Sequence, residues 1–331
     1  MTTNPAELEA RLASFREQAA KLRTELAHTF LGQSEVVELL LLTVLAEGHA
    51  LLEGAPGLGK TTLVKGLAAA LELSFARIQF TPDLMPADIL GTRILEETSA
   101  GGHAFRFEPG PIFAHLVLAD EINRATPRTQ SALLEAMQER QVTAFGETRA
   151  LPEPFCVVAT QNPIEMEGTY PLPEAQLDRF LCKVALSSPG EKELVAILEA
   201  TTRARPAPRK AVLSAKEVLA MRALVREVPV ASELVRRVAR LVRATDPEGE
   251  LAPPSVRTAV RYGASPRGGQ ALLLLAKARA LVEGRPWVTE EDLERLAAPA
   301  LRHRLVLSFE GEASGGGADA LVREAWARSK T

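Results

Sequence analysis

The stretch that most restricts the fold of this chain is a glycine-rich loop at residues 54–61. It reads Gly-Ala-Pro-Gly-Leu-Gly-Lys-Thr and fills every fixed position of the pattern G-x-x-x-x-G-K-[ST]. An apolar run before it, His49 to Glu53, predicts a buried strand, and residues 62–71 after it have the pattern of an amphipathic helix. Strand, glycine loop and helix in this order predict a phosphate-binding loop in an α/β fold.

Each part of this loop has a chemical task. Backbone N–H groups of the loop and of the following helix N-terminus can surround phosphate oxygens. We expect Lys60 to reach the β- and γ-phosphates of a nucleoside triphosphate, and Thr61 to hold Mg²⁺. ATP and Mg²⁺ are therefore the expected cofactors. The predicted nucleotide-binding residues are Gly54, Ala55, Pro56, Gly57, Leu58, Gly59, Lys60, Thr61 and Thr62.

Composition narrows the class of protein. The chain has 331 residues, 46% of them hydrophobic, which favours two domains. Its two cysteines, Cys156 and Cys182, lie in apolar runs without metal-ligand spacing, which predicts buried thiols and a reducing, cytoplasmic location. We find no pattern of a secretion signal and no run near the roughly 18 apolar residues of a membrane span. The net charge, 39 − 42 = −3, gives no bulk basic attraction to nucleic acid, so no nucleic-acid partner is expected.

Between about residues 30 and 186, short apolar runs alternate with helical patterns. This predicts a mostly parallel five-stranded sheet covered by helices on both faces, with strands at 50–52, 75–80, 115–119, 155–160 and 181–186. Residues 94–108 and 141–151 each carry glycine between two β-prone segments, which predicts two inserted β-hairpins.

The two ends of the chain have helical patterns. An apolar residue recurs at steps of three and four at Leu8, Leu12, Phe15, Ala19, Leu22 and Leu26, which predicts an amphipathic helix. Docking on the core is favoured over the alternative, a coiled coil. Helix-start signals follow at Ser188–Glu191, Ser214–Glu217, Ser265-Pro266 and Thr289–Asp292, and predict an all-helical second half. We therefore assign residues 1–29 to the docked helix, 30–187 to the α/β core and 188–331 to a helical domain.

Polar side chains follow two of the predicted strands. Asp120 and Glu121 end the strand at 115–119, so Asp120 is expected near Mg²⁺, partly through water, and Glu121 is expected to polarise the attacking water. Asn162 follows the strand at 155–160 and could bind the γ-phosphate or orient the water. Thr160 and Gln161 compete for that role, and position favours Asn162.

Two arginines have alternative interpretations. Arg179 comes just before the last strand, and either pairs with a neighbouring acid or acts as an arginine finger in the ATP site of a neighbouring chain. Arg267 lies in the first turn of a helix, where the dipole disfavours a cation, so an ATP γ-phosphate or a carboxylate should compensate. Gly268 and Gly269 after it predict a loosely formed first turn.

Taken together, these residues resemble the AAA+ ATPases, and within them the MoxR family, from about Phe30 to His303. The motifs that carry the resemblance are Glu47-Gly-His-Ala-Leu-Leu-Glu-Gly54, Asp120-Glu-Ile-Asn-Arg-Ala125, Thr129-Gln-Ser-Ala-Leu-Leu-Glu-Ala-Met137, Ala159-Thr-Gln-Asn-Pro163, Leu172-Pro-Glu-Ala-Gln-Leu-Asp-Arg-Phe180 and Gly263-Ala-Ser-Pro-Arg267. The resemblance implies an AAA+ P-loop NTPase core with β-hairpin insertions and a C-terminal helical lid.

The resemblance also implies roles for individual residues. Residues 54–61 match Walker A and 116–121 match Walker B; Asn162 matches sensor 1, Arg179 the arginine finger and Arg267 sensor 2. The hairpins match the helix-2 insert and the pre-sensor-1 hairpin. Leu31 and Gly32, next to Gln33, match the segment that contacts adenine.

As a MoxR-like protein, the chain is expected to form a ring, usually a hexamer of itself. Such rings hydrolyse ATP to remodel or mature partner proteins, often proteins with a von Willebrand factor A domain. We expect ATP between the core and the lid of one chain, with Arg179 arriving from the next subunit. Alternatives are a magnesium-chelatase-like motor subunit, a small-molecule kinase and a nucleic-acid motor; against the last, the hairpin at 141–151 offers only Arg149 as a cation.

Overall fold

The computed structural model describes residues 5–29, 33–97, 102–162, 168–202, 211–314 and 317–330. The predicted adenine-contacting residues, Leu31 and Gly32, lie outside these ranges, so their role stays a prediction. The strands are β1 (Ala50–Glu53), β2 (Phe75–Gln79), β3 (Gly91–Glu97), β4 (His103–Pro109), β5 (Leu116–Asp120), β6 (Gln141–Ala144), β7 (Glu147–Ala150), β8 (Cys156–Gln161), β9 (Cys182–Ala185), β10 (Val260–Tyr262) and β11 (Val306–Leu307).

Helices make up most of the remaining described chain. They are α1 (Pro5–Thr29), α2 (Ser34–Leu45), α3 (Lys60–Ala70), α4 (Pro86–Leu90), α5 (Pro127–Glu139), α6 (Glu174–Leu177), α7 (Glu191–Thr202), α8 (Ala215–Glu227), α9 (Ser232–Ala244), α10 (Pro254–Ala259), α11 (Pro266–Val282), α12 (Glu290–Leu301), α13 (Phe309–Ala313) and α14 (Gly317–Arg328). Short 3₁₀ turns lie at Pro111–Phe113 and Ile122–Arg124.

A five-stranded parallel sheet with the order β2-β5-β8-β1-β9 forms the centre of the first half. This confirms the predicted sheet and its five strands. Successive residues of β1 face opposite sides, so Leu51 packs into one buried cluster while Ala50 and Leu52 pack into the other. Because the strands are parallel, the carboxyl ends of β5, β8 and β1 lie side by side at one edge of the sheet.

Both predicted hairpins are present as antiparallel pairs, β3 with β4 and β6 with β7. They contact each other through aromatic rings: the centroids of Phe107 and Phe145 lie 6.5 Å apart. The guanidinium of Arg149 lies 4.0 Å from the Phe107 ring centroid, and that of Arg93 lies 5.1 Å from the Phe145 ring centroid. These contacts join the two hairpins into one surface next to the core.

Helix α1 docks on the core as its sequence pattern predicts. Phe15, Ala19, Leu22 and Leu26 are all buried, and they belong to the cluster that includes α2 and α3. The same helix also contacts the helical domain, since Arg11 forms an ion pair with Glu227 at the end of α8. Helix α1 therefore packs against both halves of the chain.

The helical nature of the second half is confirmed. Among its described residues, one short strand pair departs from the strictly all-helical prediction. Strands β10 and β11 form a short antiparallel pair in which Val260 lies opposite Leu307. Strands of three and two residues are too short to show the alternation that predicts a strand. Helix α7 also begins at Glu191 rather than just after Ser188, while the capping boxes at Ser214 and Thr289 are confirmed.

Candidate functional site

The glycine-rich loop lies between the carboxyl end of β1 and the amino end of α3, as predicted. Gly57 and Gly59 have φ angles of 83° and 77°, in the left-handed region that favours glycine. A side chain at Gly57 would meet nothing within 4 Å, so the space beside the loop is open. Since backbone N–H groups of such a loop and of a helix N-terminus attract anions, the loop fits a polyphosphate.

Lys60 is buried at the start of α3, and its Nζ donates a hydrogen bond of 2.8 Å to the carbonyl oxygen of Gly54. Burial lowers the pKa of Lys60, while the carboxylates of Asp120 and Glu121 act in the opposite direction. The loop lysine and the two strand-end acids therefore lie within electrostatic reach of one another, although they are 60 residues apart in sequence.

Asp120 ends β5, and each of its carboxylate oxygens accepts a hydrogen bond from a side chain. Its Oδ1 accepts a hydrogen bond of 2.6 Å from Thr160 Oγ1, and its Oδ2 accepts one of 2.7 Å from Arg77 Nη2. Glu121 follows in a left-handed conformation, with φ 58° and ψ 49°. Its carboxylate accepts hydrogen bonds of 2.9 Å from Gln79 Nε2 and 3.0 Å from an Arg124 nitrogen.

Asn162 follows β8 directly and is buried. The preceding residue, Gln161, lies opposite Glu53 in the sheet register, and its carbonyl oxygen accepts the N–H of Gly54 at 3.3 Å. Asn162 is therefore next to the first residue of the phosphate-binding loop. The strand order thus brings together the loop, the two acids and Asn162, as the sequence predicts.

The donor set at this edge fits Mg²⁺. Thr61 in the first turn of α3 and Asp120 at the end of β5 supply hydroxyl and carboxylate oxygens, the ligands that Mg²⁺ prefers. Within the described ranges, no cluster of three or more His, Cys, Asp or Glu side chains could enclose a metal alone. A metal ion at this edge would therefore need phosphate and water oxygens as further ligands, which is the usual situation for Mg²⁺.

Arg179 and Arg267 lie together at the other edge of the sheet. Arg179 precedes β9, whose first residue lies opposite Ala50, the first residue of β1. Its Nη1 donates to the carbonyl oxygen of Leu134. Both arginines line a cavity of about 280 Å³, together with Arg140 and Arg304.

The position of Arg267 differs from the expectation that the helical domain brings this arginine to the γ-phosphate of its own chain. The location of ATP stays a prediction. The phosphate-binding loop follows the carboxyl end of β1, whereas the arginine cavity borders its amino end, next to Gly48 and His49. Four strand residues already span roughly 10 Å, and Arg179 lies still farther from the loop. Arg179 and Arg267 therefore line the end of the sheet opposite to the loop of their own chain.

Asp178 connects this edge of the core to the helical domain. Its carboxylate accepts hydrogen bonds of 2.8 Å from Ser265 Oγ and 2.7 Å from Arg304 Nε. Ser265 is also the N-cap of α11, because its Oγ accepts the N–H of Arg267. The Nη1 of Arg267 lies 4.0 Å from Asp178, which supplies the predicted carboxylate partner but leaves the arginine side chain 52% exposed.

The first turn of α11 is tightly packed, so the prediction of a loose helix start was wrong. A Cβ on Gly268 would lie 2.7 Å from a methyl group of Leu301, and one on Gly269 would lie 3.3 Å from Val238. The two glycines let α11 approach α12 and α9 closely. Their low helix propensity is offset by this packing, which a single sequence does not display.

Four further polar residues lie at these two edges. The sequence favours Asn162 over Thr160, and it does not point to Arg77, Gln79 or Arg304. Arg77 and Gln79 alternate on β2, so a period-two analysis of polar residues beside the acidic strand could have found them. Arg304 belongs to no motif, and only its buried contacts with Asp178 and Phe180 reveal its position.

Comparison with known proteins agrees with this geometry. Residues 49–182 match the model of the ATPase family associated with various cellular activities (AAA), and residues 254–325 match an AAA lid domain. The chain is 44% identical to Chaperone MoxR1 of Mycobacterium tuberculosis over 289 residues, which cover 86% of this chain and 75% of that protein. It is 32% identical to Protein MoxR of Methylorubrum extorquens over 90% of both chains.

The chain belongs to the MoxR family of AAA+ ATPases. A crystal structure described as a candidate ATPase of Cytophaga hutchinsonii superimposes on this MoxR-family chain with a TM-score of 0.90 at 37% identity. The match covers 97% of this chain and 96% of that one. The chain is thus an ATP-hydrolysing enzyme with an AAA+ core and a C-terminal helical lid. In the part of the chain that the structure describes, every helix is too short or too polar to cross a bilayer.

Proposed function

We propose that this MoxR-family ATPase acts as a chaperone-like machine that remodels partner proteins. In this proposal the subunits assemble head to tail, and each ATP site consists of two halves from adjacent subunits. The observation that carries it is the separation of the loop and its acids from the Arg179–Arg267 cavity, at opposite edges of one sheet. The name of the Mycobacterium tuberculosis relative, a chaperone, supports the remodelling activity.

In the first half-site, the loop N–H groups and Lys60 bind the phosphates. Thr61 and Asp120 would hold Mg²⁺, which would neutralise charge on the β- and γ-phosphates. Glu121 polarises the attacking water, and Asn162 binds the γ-phosphate or orients that water. The neighbouring positions of these residues at one sheet edge support the assignment.

In the second half-site, Arg179 and Arg267 are presented to the nucleotide of the adjacent subunit. Four arginines line the cavity against two acids, Glu47 and Asp178, so its local charge is positive and suits a triphosphate. Within the described residues, the Nε of Arg179 is buried without a hydrogen-bond acceptor, and Arg267 is half exposed. Such guanidinium groups can stabilise the charge that develops on the γ-phosphate during transfer.

Subunit mixing tests the divided site. Arg179→Ala has intact Glu121, and Glu121→Gln has intact Arg179, so each variant alone is expected to be inactive. If the sites form between subunits at random in an equal mixture, about one quarter of them combine both intact halves, so about one quarter of wild-type activity returns.

The same experiment repeated with Arg267→Ala in place of Arg179→Ala tests whether the second arginine also acts across the interface. A mixture that stays inactive would show that the arginine and the glutamate must belong to one chain, and would refute the divided site. Mixtures of Arg179→Ala with Arg267→Ala should stay inactive, because both changes disable the same half.

The finer parts of the proposal are a homo-hexameric ring and a client with a von Willebrand factor A domain. The exposed side chains Leu95, Phe105 and Phe145 on the joined hairpins offer an apolar surface for a client protein.

The proposed structural units of the chain are residues 1–29, 30–187 and 188–331. Its two buried free thiols suit a cytoplasmic location.

Capture of the client tests this part. Glu121→Gln in ATP is expected to retain the client, and Lys60→Met, which cannot bind the triphosphate, is the matched control. Recovery of an A-domain protein with the first variant alone supports the client class; recovery with both variants equally would contradict ATP-dependent binding.

A further inference from the structure

Thr160 contacts Asp120 and Glu121, the two acids that are expected to act in ATP hydrolysis. It lies near the end of β8, with an exposed fraction of 0%. Its Oγ1 is 2.6 Å from Asp120 Oδ1 and 2.8 Å from the backbone nitrogen of Glu121. One hydroxyl therefore contacts both acids of the Walker B segment.

The direction of both hydrogen bonds follows from the groups involved. The Glu121 N–H can only donate, so Thr160 Oγ1 accepts from it. The hydroxyl proton is then free to be donated to the Asp120 carboxylate, which accepts. Valine would fill the same volume but could make neither bond, whereas serine could make both.

The two hydrogen bonds of Thr160 restrict the Asp120 carboxylate and the Glu121 backbone, respectively. Thr160 fixes Oδ1 of Asp120, while Arg77 from β2 binds Oδ2, so the carboxylate is held from both strands that flank β5. The bond to the Glu121 N–H anchors a residue with φ 58°, a left-handed conformation that a non-glycine residue keeps only when its surroundings compensate. The direction of the Glu121 side chain depends on that backbone.

We propose that Thr160 is a positioning residue for ATP hydrolysis, which orients the Asp120 carboxylate toward the metal site and holds Glu121 in its left-handed conformation. The inference rests on the proposed roles of Asp120 and Glu121. It explains why β8 carries a fully buried hydroxyl two residues before Asn162.

Thr160→Val removes the hydroxyl and keeps the shape, and Thr160→Ser restores the hydroxyl. Thr43→Val is the matched control: Thr43 is equally buried, and its hydroxyl donates to the Leu39 carbonyl oxygen in α2. For each variant we would measure kcat, the Mg²⁺ concentration that gives half-maximal nucleotide binding, ATP binding without Mg²⁺ and the unfolding temperature.

We expect Thr160→Val to lower kcat by about 10- to 100-fold, the effect of losing a hydrogen bond to a charged group. It should also raise the Mg²⁺ requirement for nucleotide binding, while ATP binding without Mg²⁺ stays within about twofold because the loop is unchanged. Thr160→Ser should recover most of both losses. Thr43→Val should lower the unfolding temperature to a similar degree and keep wild-type kcat.

Wild-type kcat and Mg²⁺ dependence in Thr160→Val would overturn the proposal, and so would a Ser variant as impaired as the Val variant. An equal loss of kcat in Thr43→Val would assign the effect to stability instead, and would also overturn it. Glu121→Gln, measured in parallel, distinguishes a failure of the Thr160 proposal from a failure of the proposed role of Glu121. If Glu121→Gln is inactive and Thr160→Val is fully active, only the role of Thr160 fails; if Glu121→Gln is active, the proposed role of Glu121 fails.

Discussion

His49 should make the stability of this protein depend on pH. The residue precedes β1 and is buried. Its Nδ1 accepts the N–H of Val157 at 2.9 Å, and its Nε2 lies 3.1 Å from the carbonyl oxygen of Met137. A neutral ring with its proton on Nε2 satisfies both partners. A second proton would have to lie on Nδ1, against the Val157 N–H, and burial lowers the pKa of His49 to about 4.

The sign and size of the effect follow from linkage. The ordinary pKa of histidine is 6.5, so the unfolded chain binds a proton before the folded chain does. The stability that neutral His49 contributes is therefore complete above about pH 6.5 and is lost as the pH falls toward 4. The slope is about 1.4 kcal/mol per pH unit, and the loss between pH 7.5 and pH 5.0 is about 2 kcal/mol.

Urea unfolding of wild type and His49→Gln at these two pH values measures the effect. Glutamine can donate and accept a hydrogen bond but does not titrate, so the difference between the two proteins removes contributions from other groups. These include His303, whose pKa is also lowered by burial and by Arg304. We expect the stability advantage of wild type to shrink by about 2 kcal/mol at pH 5.0. A change below about 0.5 kcal/mol would refute a buried neutral ring.

Two further predictions concern packing and the loop. Leu22→Ala should lower the free energy of unfolding by about 2–5 kcal/mol, because Leu22 on α1 is fully buried in the cluster that includes α2 and α3. Leu219→Ala, at a 36% exposed position, should change it by less than about 1 kcal/mol in the same urea titration. Gly59→Ala should cost about 1 kcal/mol of stability and weaken ATP binding, since φ is 77° in the phosphate-binding loop. Gly146→Ala, with φ 80° in a hairpin turn, should have a similar stability cost but normal ATP binding in a fluorescence titration.

Much of the first half of the fold follows from local sequence patterns. The five strands and the docked N-terminal helix are where the apolar patterns predict them, and both hairpins are where glycine lies between β-prone segments. Parallel strands also explain why Asp120 and Asn162 could be assigned to one edge from the sequence alone, since each follows an apolar run. The contacts of Thr160 with Asp120 and Glu121 could not be predicted, because they depend on which strands are neighbours.

The sequence by itself determined the α/β core, the phosphate-binding loop and the acids at the strand ends. These features are encoded in short segments, where side-chain period and glycine spacing act locally. The tertiary structure alone decided that Arg267 lies beside Arg179 at the far edge of the sheet. That position depends on how α11 packs between α9 and α12 and on Asp178 binding both Ser265 and Arg304. The two Asp178 contacts join residues more than 80 positions apart, so no local sequence pattern predicts them.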